Sequence, residues 1–327
     1  MQEDILLKVE DLNTSFRVLK QNLHAVRGVD LTVRQGEILG IVGESGSGKS
    51  VTMKSIIRML PKSAHVTART MLFEGEELLQ KSEEQMRQIR GNRITMIFQD
   101  PMTSLNPLKR VGFHIEEVLK RHRGMEGPQA RQWALDLLKK VGVPSPEERI
   151  DQFPHEFSGG MRQRVLIAMA LACKPRLLIA DEPTTALDVT IQAQILDLIA
   201  QLHAEEQMSV VLITHDLGVV ARLCHRVCVL YGGMVMEEGP LDEIFYQTRH
   251  PYTQALLKSI PARALETGSR LVPIKGYAPS LLNPPPGCPF APRCPQRMDI
   301  CDAAVPEMTR ISPTHIGRCV LIKGDAL

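Results

Sequence analysis

Residues 43–50 are Gly43-Glu44-Ser45-Gly46-Ser47-Gly48-Lys49-Ser50. Three glycines in this spacing allow backbone N–H groups to point inward around the β- and γ-phosphates of a nucleotide. The apolar run Ile38–Val42 predicts a strand that leads directly into them, and residues 50–59 predict a helix whose N-terminus adds partial positive charge. This order of strand, loop and helix predicts a nucleoside triphosphate site. We call residues 43–50 the phosphate loop.

Two side chains of the phosphate loop carry specific chemistry. Lys49 is expected to neutralise the β- and γ-phosphate oxygens, and Ser50 is expected to bind magnesium. The flanking strand and helix argue against a glycine-rich turn that carries Lys-Ser by chance. The predicted nucleotide contacts in this segment are Gly43, Glu44, Ser45, Gly46, Ser47, Gly48, Lys49, Ser50 and Val51.

Composition excludes several classes of protein. The chain has 327 residues, of which 43% are apolar and 23% charged, as expected for a globular protein with one large domain and room for a smaller appendage. A net charge of +2 gives no electrostatic reason to expect nucleic acid as a partner. No apolar run is long enough to span a membrane, and the acidic start of the sequence does not resemble a secretory signal, so a cytosolic chain is expected.

The pattern of apolar residues changes three times along the chain. It is strand-rich in residues 1–100, and then takes helical spacing in residues 101–157, which we interpret as an inserted helical subdomain. Helices and strands alternate in residues 158–245, which predicts an α/β fold with a mostly parallel sheet. Residues 246–327 are rich in proline and cysteine and predict a small extension.

An apolar run at residues 177–180 ends in two carboxylates, Asp181 and Glu182. A buried strand would deliver Asp181 to the magnesium ion, and Glu182 would polarise the attacking water. Taken alone, the same residues fit an acidic turn after a buried strand, which is the more common arrangement. Their assignment therefore depends on the motifs around them.

A second glycine motif, Phe157-Ser158-Gly159-Gly160-Met161-Arg162-Gln163, lies between the phosphate loop and this acidic strand. With all three motifs in this order, residues 5–240 resemble the nucleotide-binding subunits of ABC transporters. The stretch resembles the signature motif of that family, although Phe157 and Met161 replace the commonest residues. Physically, Ser158 would cap the following helix while Gly159 and Gly160 expose the backbone, which makes a second anion site.

This resemblance implies a P-loop NTPase core with N-terminal antiparallel strands, an inserted helical subdomain and a small Cys/Pro-rich extension. It also implies roles for residues outside the three motifs. Gln99 would link magnesium and the attacking water to the helical subdomain, and His215 would sense the γ-phosphate. Asp188 lies in the segment that crosses the dimer interface in the family, and Phe16 would stack on adenine, although a phenylalanine in a strand is by default a core residue.

The implied catalytic residues are thus Lys49, Gln99, Glu182 and His215, with Ser50, Gln99 and Asp181 at magnesium. Because the signature lies far from the phosphate loop along the chain, the resemblance implies a head-to-tail dimer. Two ATP molecules would each lie between the phosphate loop of one subunit and the signature of the other. Hydrolysis would then open the dimer.

Residues 99–107, 250–253 and 288–295 resemble more specifically the ATPases of dipeptide and oligopeptide importers. This implies a paralogous ATPase subunit as partner in a heterodimer, two transmembrane permease subunits and, indirectly, an extracytoplasmic peptide-binding protein. The chain would lie peripherally on the cytoplasmic face of the cell inner membrane. Three alternatives stay open: an ABC ATPase for another solute such as nickel, a nucleotide-gated iron-sulfur regulatory protein, and an ABC ATPase acting on ribosomes or DNA.

Four cysteines lie in the extension, separated by five, six and seventeen residues: Cys288, Cys294, Cys301 and Cys319. This spacing does not match the common zinc motifs. Four thiolates suit a [4Fe-4S] cluster or zinc, and free thiols are also open. The importer resemblance favours the cluster.

The remaining cysteines and one histidine have plainer expectations. Cys173, Cys224 and Cys228 lie amid aliphatic segments and are predicted to be small buried hydrophobic residues. His315 lies in the extension and is expected to be solvated rather than to replace a cysteine ligand.

Overall fold

The computed structural model describes residues 5–18, 20–100, 104–185, 187–260 and 273–327. Residues 101–103 of the importer-like stretch and residue 186 lie outside the described residues. The strands are β1 Ile5–Val18, β2 Gln21–Arg34, β3 Ile38–Val42, β4 Ala64–Thr67, β5 Thr70–Phe73, β6 Glu76–Glu77, β7 Ile94–Ile97, β8 Leu177–Asp181, β9 Ser209–Thr214, β10 Arg226–Tyr231, β11 Met234–Pro240, β12 Thr309–Arg310, β13 Ile316–Gly317 and β14 Asp325–Ala326. The α-helices are α1 Lys49–Ile56, α2 Glu83–Ile89, α3 Val111–Arg123, α4 Gly127–Lys140, α5 Pro146–Arg149, α6 Gly159–Leu171, α7 Val189–Glu206, α8 Leu217–Leu223, α9 Leu241–Tyr246, α10 Pro251–Lys258 and α11 Ile300–Ala303.

The chain divides into two compact units, one made of residues 1–79 and 212–327 and the other of residues 80–211. In the first unit, an antiparallel sheet has the strand order β2-β1-β5-β6, and β4 also pairs with β1. The long β1 and β2 strands alternate apolar and polar residues, so that one face is buried, as expected for an antiparallel sheet.

A second set of strands in the same unit has the order β14-β12-β13-β11-β10-β3. β3 pairs in parallel with β10, and every residue of both strands is buried, as expected for a parallel pair. The extension joins this sheet because β13 pairs with β11 through the register Glu238 to Ile316. The described residues of the extension therefore belong to the same unit as the phosphate loop.

The second unit combines a parallel strand pair with most of the helices. β7 pairs with β8 in the register Ile94 to Leu177, and α6 packs against β7. Helices α3, α4 and α6 pack on one another through buried aliphatic side chains, including Leu119, Leu138 and Val165. This cluster places the start of α6 at the edge of a helical core.

The predicted α/β fold is confirmed, and β3 has the bounds predicted from the sequence. Helix α1 ends at Ile56, earlier than residue 59, because Arg58 takes a positive φ of 52° that an α-helix does not allow. The division of the chain at residues 100, 157 and 245 stays a prediction. Within the described residues, no helix is long and apolar enough to cross a membrane.

Candidate functional site

The phosphate loop follows β3 in the first unit and leads into α1. Gly48 has a φ of 101°, a conformation that L residues with a side chain rarely adopt. A Cβ atom at Gly43 would lie 2.1 Å from the carbonyl oxygen of Leu230. Both positions require glycine, so the loop is held close to the neighbouring strand by its own backbone.

Two polar side chains of the loop are buried. Lys49 is only 5% exposed, and its Nζ donates to the carbonyl oxygens of Gly43 and Glu44, at 2.7 and 3.0 Å. The hydroxyl of Ser47 is buried and has no hydrogen-bond partner among the described residues. A buried ammonium and an unpaired hydroxyl in one glycine-rich loop fit an anion with several oxygens, such as a phosphate group.

Glu44, the second residue of the loop, contacts two residues of the extension. Its backbone N–H donates to the hydroxyl of Tyr252, at 3.0 Å. Its carboxylate Oε2 lies 2.7 Å from Nη1 of Arg293. No local pattern predicts either contact, because the partners are separated by 208 and 249 positions.

Arg293 is itself fixed in several directions. Its guanidinium also donates to the hydroxyl of Tyr231, at 2.9 Å, and to the carbonyl oxygens of Ile274 and Lys275. The Arg293 side chain is only 6% exposed, and its pKa is raised above the ordinary arginine value despite burial, because it hydrogen-bonds Glu44 and Tyr231. The cation is therefore permanent and its direction is set.

In the second unit, the two carboxylates lie at the end of β8. Asp181 is 1% exposed, whereas Glu182 is half-buried and has a φ of 48°. A left-handed conformation at a residue other than glycine is sparsely populated and is often found at functional sites. The amide of Gln99 donates to Oε2 of Glu182 at 2.8 Å, and the hydroxyl of Thr185 donates to the same oxygen at 3.0 Å.

Gln99 and Glu182 were both predicted site residues, and they lie together. Thr185 is not among the predicted site residues, although the structure places its hydroxyl on the Glu182 carboxylate. A Thr three residues after a candidate base is a local signal that a sequence alone offers. The role of each of these residues stays a prediction.

The signature segment begins helix α6 in the same unit. Ser158 is the N-cap residue, and its hydroxyl accepts the backbone N–H of Met161, at 3.3 Å, so the predicted cap is confirmed. A Cβ atom at Gly160 would lie 2.6 Å from Cγ2 of Ile191. Glycine is therefore needed for the close approach of α6 and α7, and it also leaves the first turn of α6 without bulky side chains.

The structure also describes three further predicted site residues, Asp188, His215 and Phe16. The carboxylate of Asp188 caps helix α7 by accepting the backbone N–H of Ile191, at 2.9 Å. His215 is exposed directly after β9, and Phe16 is half-buried in β1. Their predicted contacts with nucleotide or partner stay predictions.

The four cysteines of the extension line one small cavity in the first unit: Cys288, Cys294, Cys301 and Cys319. His250 and Phe290 are also part of its lining. Burial raises the pKa of Cys288 to about 11 and also raises the pKa of Cys294 and Cys319. Among the described residues, however, no group of three or more His, Cys, Asp or Glu side chains is close enough to hold a metal ion. The kind and number of donor atoms fit a Cys₄ centre, but the spacing of these atoms does not form one.

The expectation for His315 is wrong. It is fully buried, and its Nε2 lies 2.9 Å from Oε1 of the equally buried Glu237. The polar residues around His315 favour a solvated side chain, but the neighbouring strand β13 pairs with β11, and this pairing brings His315 into the interior. The prediction for the other three cysteines is confirmed, since Cys173, Cys224 and Cys228 are all buried.

Comparison with known proteins agrees with this arrangement of motifs. A family model described as "ABC transporter" matches residues 26–185, and one described as "Oligopeptide/dipeptide transporter, C-terminal region" matches residues 236–301. The dipeptide transport ATP-binding protein DppD of Bacillus subtilis is 53% identical over 97% of this chain and 94% of its own length. The chain belongs to the ATP-binding subunits of ABC transporters.

Other ABC transporter subunits support the same assignment. The oligopeptide transport ATP-binding protein OppD of B. subtilis is 51% identical over 98% of this chain and 90% of its own, and DppD of Escherichia coli is 48% identical over 98% of both. A dimeric ATP-binding cassette solved in a post-hydrolysis state with ADP and Pi superimposes with a TM-score of 0.64 at 29% identity, covering 72% of this chain and 98% of that one. As an ABC ATPase subunit, the chain uses ATP and hydrolyses it in support of transport.

Proposed function

We propose that this chain is the ATP-hydrolysing subunit of a peptide importer in the cytoplasmic membrane. The observation that carries this proposal is the near-full-length similarity to dipeptide and oligopeptide transport ATP-binding proteins, which includes the extension typical of that group. The alternatives of a ribosome- or DNA-directed ABC ATPase have no comparable support. Cargo is assigned by similarity, since the peptide itself binds other subunits.

The nucleotide would bind to the phosphate loop. Lys49 is already directed into the loop, and the unpaired hydroxyl of Ser47 offers a donor to a phosphate oxygen. Ser50, Gln99 and Asp181 would hold Mg²⁺, which would neutralise charge on the β- and γ-phosphates. The aromatic ring of Phe16 would stack on adenine.

Hydrolysis would use the carboxylate of Glu182 as the general base. Gln99 and Thr185 both donate to Oε2 of this carboxylate, which orients it toward the position of the attacking water. His215 and Lys49 would meet the charge that develops on the γ-phosphate. The remaining stabilisation would come from a signature serine equivalent to Ser158.

We propose that this serine comes from a second subunit. The capped start of α6, with Gly159 and Gly160 in its first turn, provides backbone N–H groups for an anion. Asp188, at the start of α7, would lie at the same dimer interface. The importer resemblance favours a paralogous ATPase as the partner in a head-to-tail dimer, and solved cassettes of the same fold that are dimeric support a dimer.

In the complete importer, the dimer would contact two transmembrane permease subunits that receive peptide from an extracytoplasmic binding protein. The chain would then lie at the cytoplasmic face of the inner membrane as a peripheral subunit. ATP binding would close the dimer, and hydrolysis would open it. The two states would expose the permeases alternately to either side of the membrane.

We also propose that the four extension cysteines bind a [4Fe-4S] cluster, with zinc as the alternative. Four soft donors line a single cavity, which is the donor set that both centres use. Their thiols would have to lose protons and move together on binding, because burial now favours the protonated form of Cys288. The centre would act as a structural staple or a redox sensor.

Uptake by whole cells tests the cargo. A deletion strain should lose uptake of a labelled dipeptide and recover it when the wild-type gene is restored. Uptake of labelled tripeptide, longer peptides and nickel should be measured in parallel. Loss of nickel uptake with normal dipeptide uptake would overturn peptide as the cargo, and normal uptake of every solute would count against a role in import.

A further inference from the structure

The extension contacts the phosphate loop at Glu44. Both ends of this glutamate are engaged: the backbone N–H by Tyr252 and the carboxylate by Arg293. We propose that Arg293 and Tyr252 are positioning residues of the ATP site, which hold the phosphate loop in the conformation that binds ATP. The inference rests on the proposed role of that loop.

Tyr252 and Arg293 both contact Glu44 directly. The Tyr252 hydroxyl accepts from Glu44 at 3.0 Å, and the Arg293 guanidinium lies 2.7 Å from its carboxylate. The carbonyl oxygen of the same residue also accepts from Nζ of Lys49. A shift of Glu44 would therefore move an acceptor that orients Lys49.

Tyr252 and Arg293 are themselves held by a cluster of aromatic side chains. The rings of Tyr231, Tyr252 and Phe290 contact one another, with centroid distances between 4.4 and 5.5 Å. Tyr231 and Tyr252 are buried, and Arg293 bonds to the Tyr231 hydroxyl. An aromatic cluster whose members fix each other can hold a loop in place without rearranging when ligand binds.

Arg293 is adjacent in sequence to the cysteines of the extension. It immediately precedes Cys294, and Phe290 is shared between the aromatic cluster and the cysteine cavity. Any movement of the cysteine segment would thus reach Glu44 through two side chains. The extension would in this way supply part of the order of the ATP site, while the glycines supply its shape.

The test uses the full-length chain and ATP binding measured by displacement of a fluorescent ATP analogue. Arg293→Met should weaken ATP binding about tenfold, the loss expected of one charge-assisted hydrogen bond. Arg293→Lys should recover part of that loss, and Tyr252→Phe should weaken binding by a smaller factor. In the assembled transporter, KM for ATP should rise more than kcat falls, because the loop binds phosphate both before and during reaction.

Coupling to Glu44 separates positioning from a general loss of structure. Glu44→Gln should resemble Arg293→Met, and the double variant should be no weaker than either single variant, because both remove the same contact. Additive losses, or a single variant with unchanged ATP binding, would overturn the inference. Thermal unfolding and metal content should be measured on each variant, and a loss of ATP binding that tracks only those quantities would also overturn it.

A matched control is Arg297→Met. Arg297 lies in the same segment, is about half exposed and pairs with Asp302, so its replacement should leave ATP binding unchanged. Lys49→Ala separates the proposed role of the phosphate loop from the positioning role of Arg293. If Lys49→Ala binds ATP normally, the assignment of the phosphate loop fails; if it loses ATP while Arg293→Met does not, only the positioning role fails.

Discussion

The side-chain amide of Gln99 lies 2.8 Å from the carboxylate of Glu182, and both were expected at the catalytic centre from separate motifs. The amide and the Thr185 hydroxyl donate to the same carboxylate oxygen. Glu182 also has a left-handed backbone conformation, which costs free energy in a residue other than glycine. A candidate base held by two donors in a strained backbone is the arrangement expected of a positioned catalytic carboxylate.

Replacing Glu182 by Gln should lower ATP hydrolysis by about 100- to 10,000-fold, because an amide cannot accept a proton from water. ATP binding should persist, and the ATP-bound dimer should accumulate. Phosphate release and light scattering on the assembled transporter measure the two effects. Glu148→Gln is the control, since Glu148 is an exposed glutamate of α5 in the same unit. Hydrolysis within a few-fold of wild type would rule out Glu182 as the base.

Removing the amide of Gln99 should have a smaller effect. Gln99→Ala removes one donor to the carboxylate of Glu182 and keeps Thr185, so hydrolysis should fall about tenfold through loss of one hydrogen bond to a charged group. The double variant Gln99→Ala, Thr185→Val should fall further. An unchanged rate in the double variant would mean that these contacts do not orient the base.

Ser158 should affect both helix stability and ATP-driven closure. Ser158→Ala removes the cap of α6 and should lower the free energy of unfolding by about 1 kcal/mol. Ser158→Asp should restore the cap but place negative charge where phosphate would bind, so that stability recovers while closure does not. Urea unfolding and sedimentation with ATP separate the two effects.

The comparison variant is Ser82→Ala, which removes the capping box of α2 in the same unit. It should lose stability without losing ATP-driven closure. If Ser158→Asp closes normally with ATP, then the start of α6 is only a helix cap and not an anion site.

The extension cysteines make a direct prediction about metal content. Protein purified without oxygen should absorb near 400 nm and contain about four iron atoms per chain, as a cluster with four cysteine ligands requires. Cys294→Ser should lose both signals, whereas Cys228→Ala, at a buried cysteine outside the cavity, should keep them. A colourless protein with about one zinc per chain would select the alternative, and a metal-free protein would contradict both.

Burial of His250 predicts a specific loss of stability in acid. Burial lowers the pKa of His250 to about 4 in the folded chain, from an ordinary value of 6.5. As pH falls through this range the unfolded chain binds the proton first, so the contribution of His250 to the free energy of unfolding should decrease between pH 6.5 and 4 and be fully present above 6.5. The full loss is about 3 kcal/mol.

The measurement is urea unfolding of the wild type and of His250→Asn across that pH range. Asparagine retains an acceptor for the backbone N–H of Tyr252, which His250 Nδ1 now accepts at 3.0 Å. The variant should lose less stability than the wild type as the pH falls. Parallel curves for the two proteins would show that His250 does not titrate as proposed.

The sequence predicts the parts of the site that are encoded locally. β3, the glycines of the phosphate loop and the start of α6 are each specified within about ten residues, because strand, turn and cap preferences act over that distance. Ser158 is an example: its cap partner, Met161, is only three positions away. The family resemblance extends such local matches to a full order of motifs.

Contacts between distant segments could not be predicted in this way. Arg293 and Glu44 are 249 positions apart, and nothing in either local pattern says which acid an arginine will meet. His315 illustrates the same limit, because its polar neighbours suggest solvent while its partner Glu237 lies 78 positions away. The position of His315 depends on the adjacent strand β13, whose two residues are too few to give a periodic pattern. Arg293 lies outside the strands, in a segment that also has no periodic pattern.

The most direct test of the account couples ATP hydrolysis to peptide movement in one experiment. The chain, its paralogous ATPase and the two permeases should be reconstituted in vesicles with the peptide-binding protein, a labelled dipeptide and ATP. We expect ATP-dependent transport of the dipeptide with the wild type and none with Glu182→Gln, although the variant still binds ATP. Equal transport by both proteins, or hydrolysis by the wild type without dipeptide movement, would contradict it.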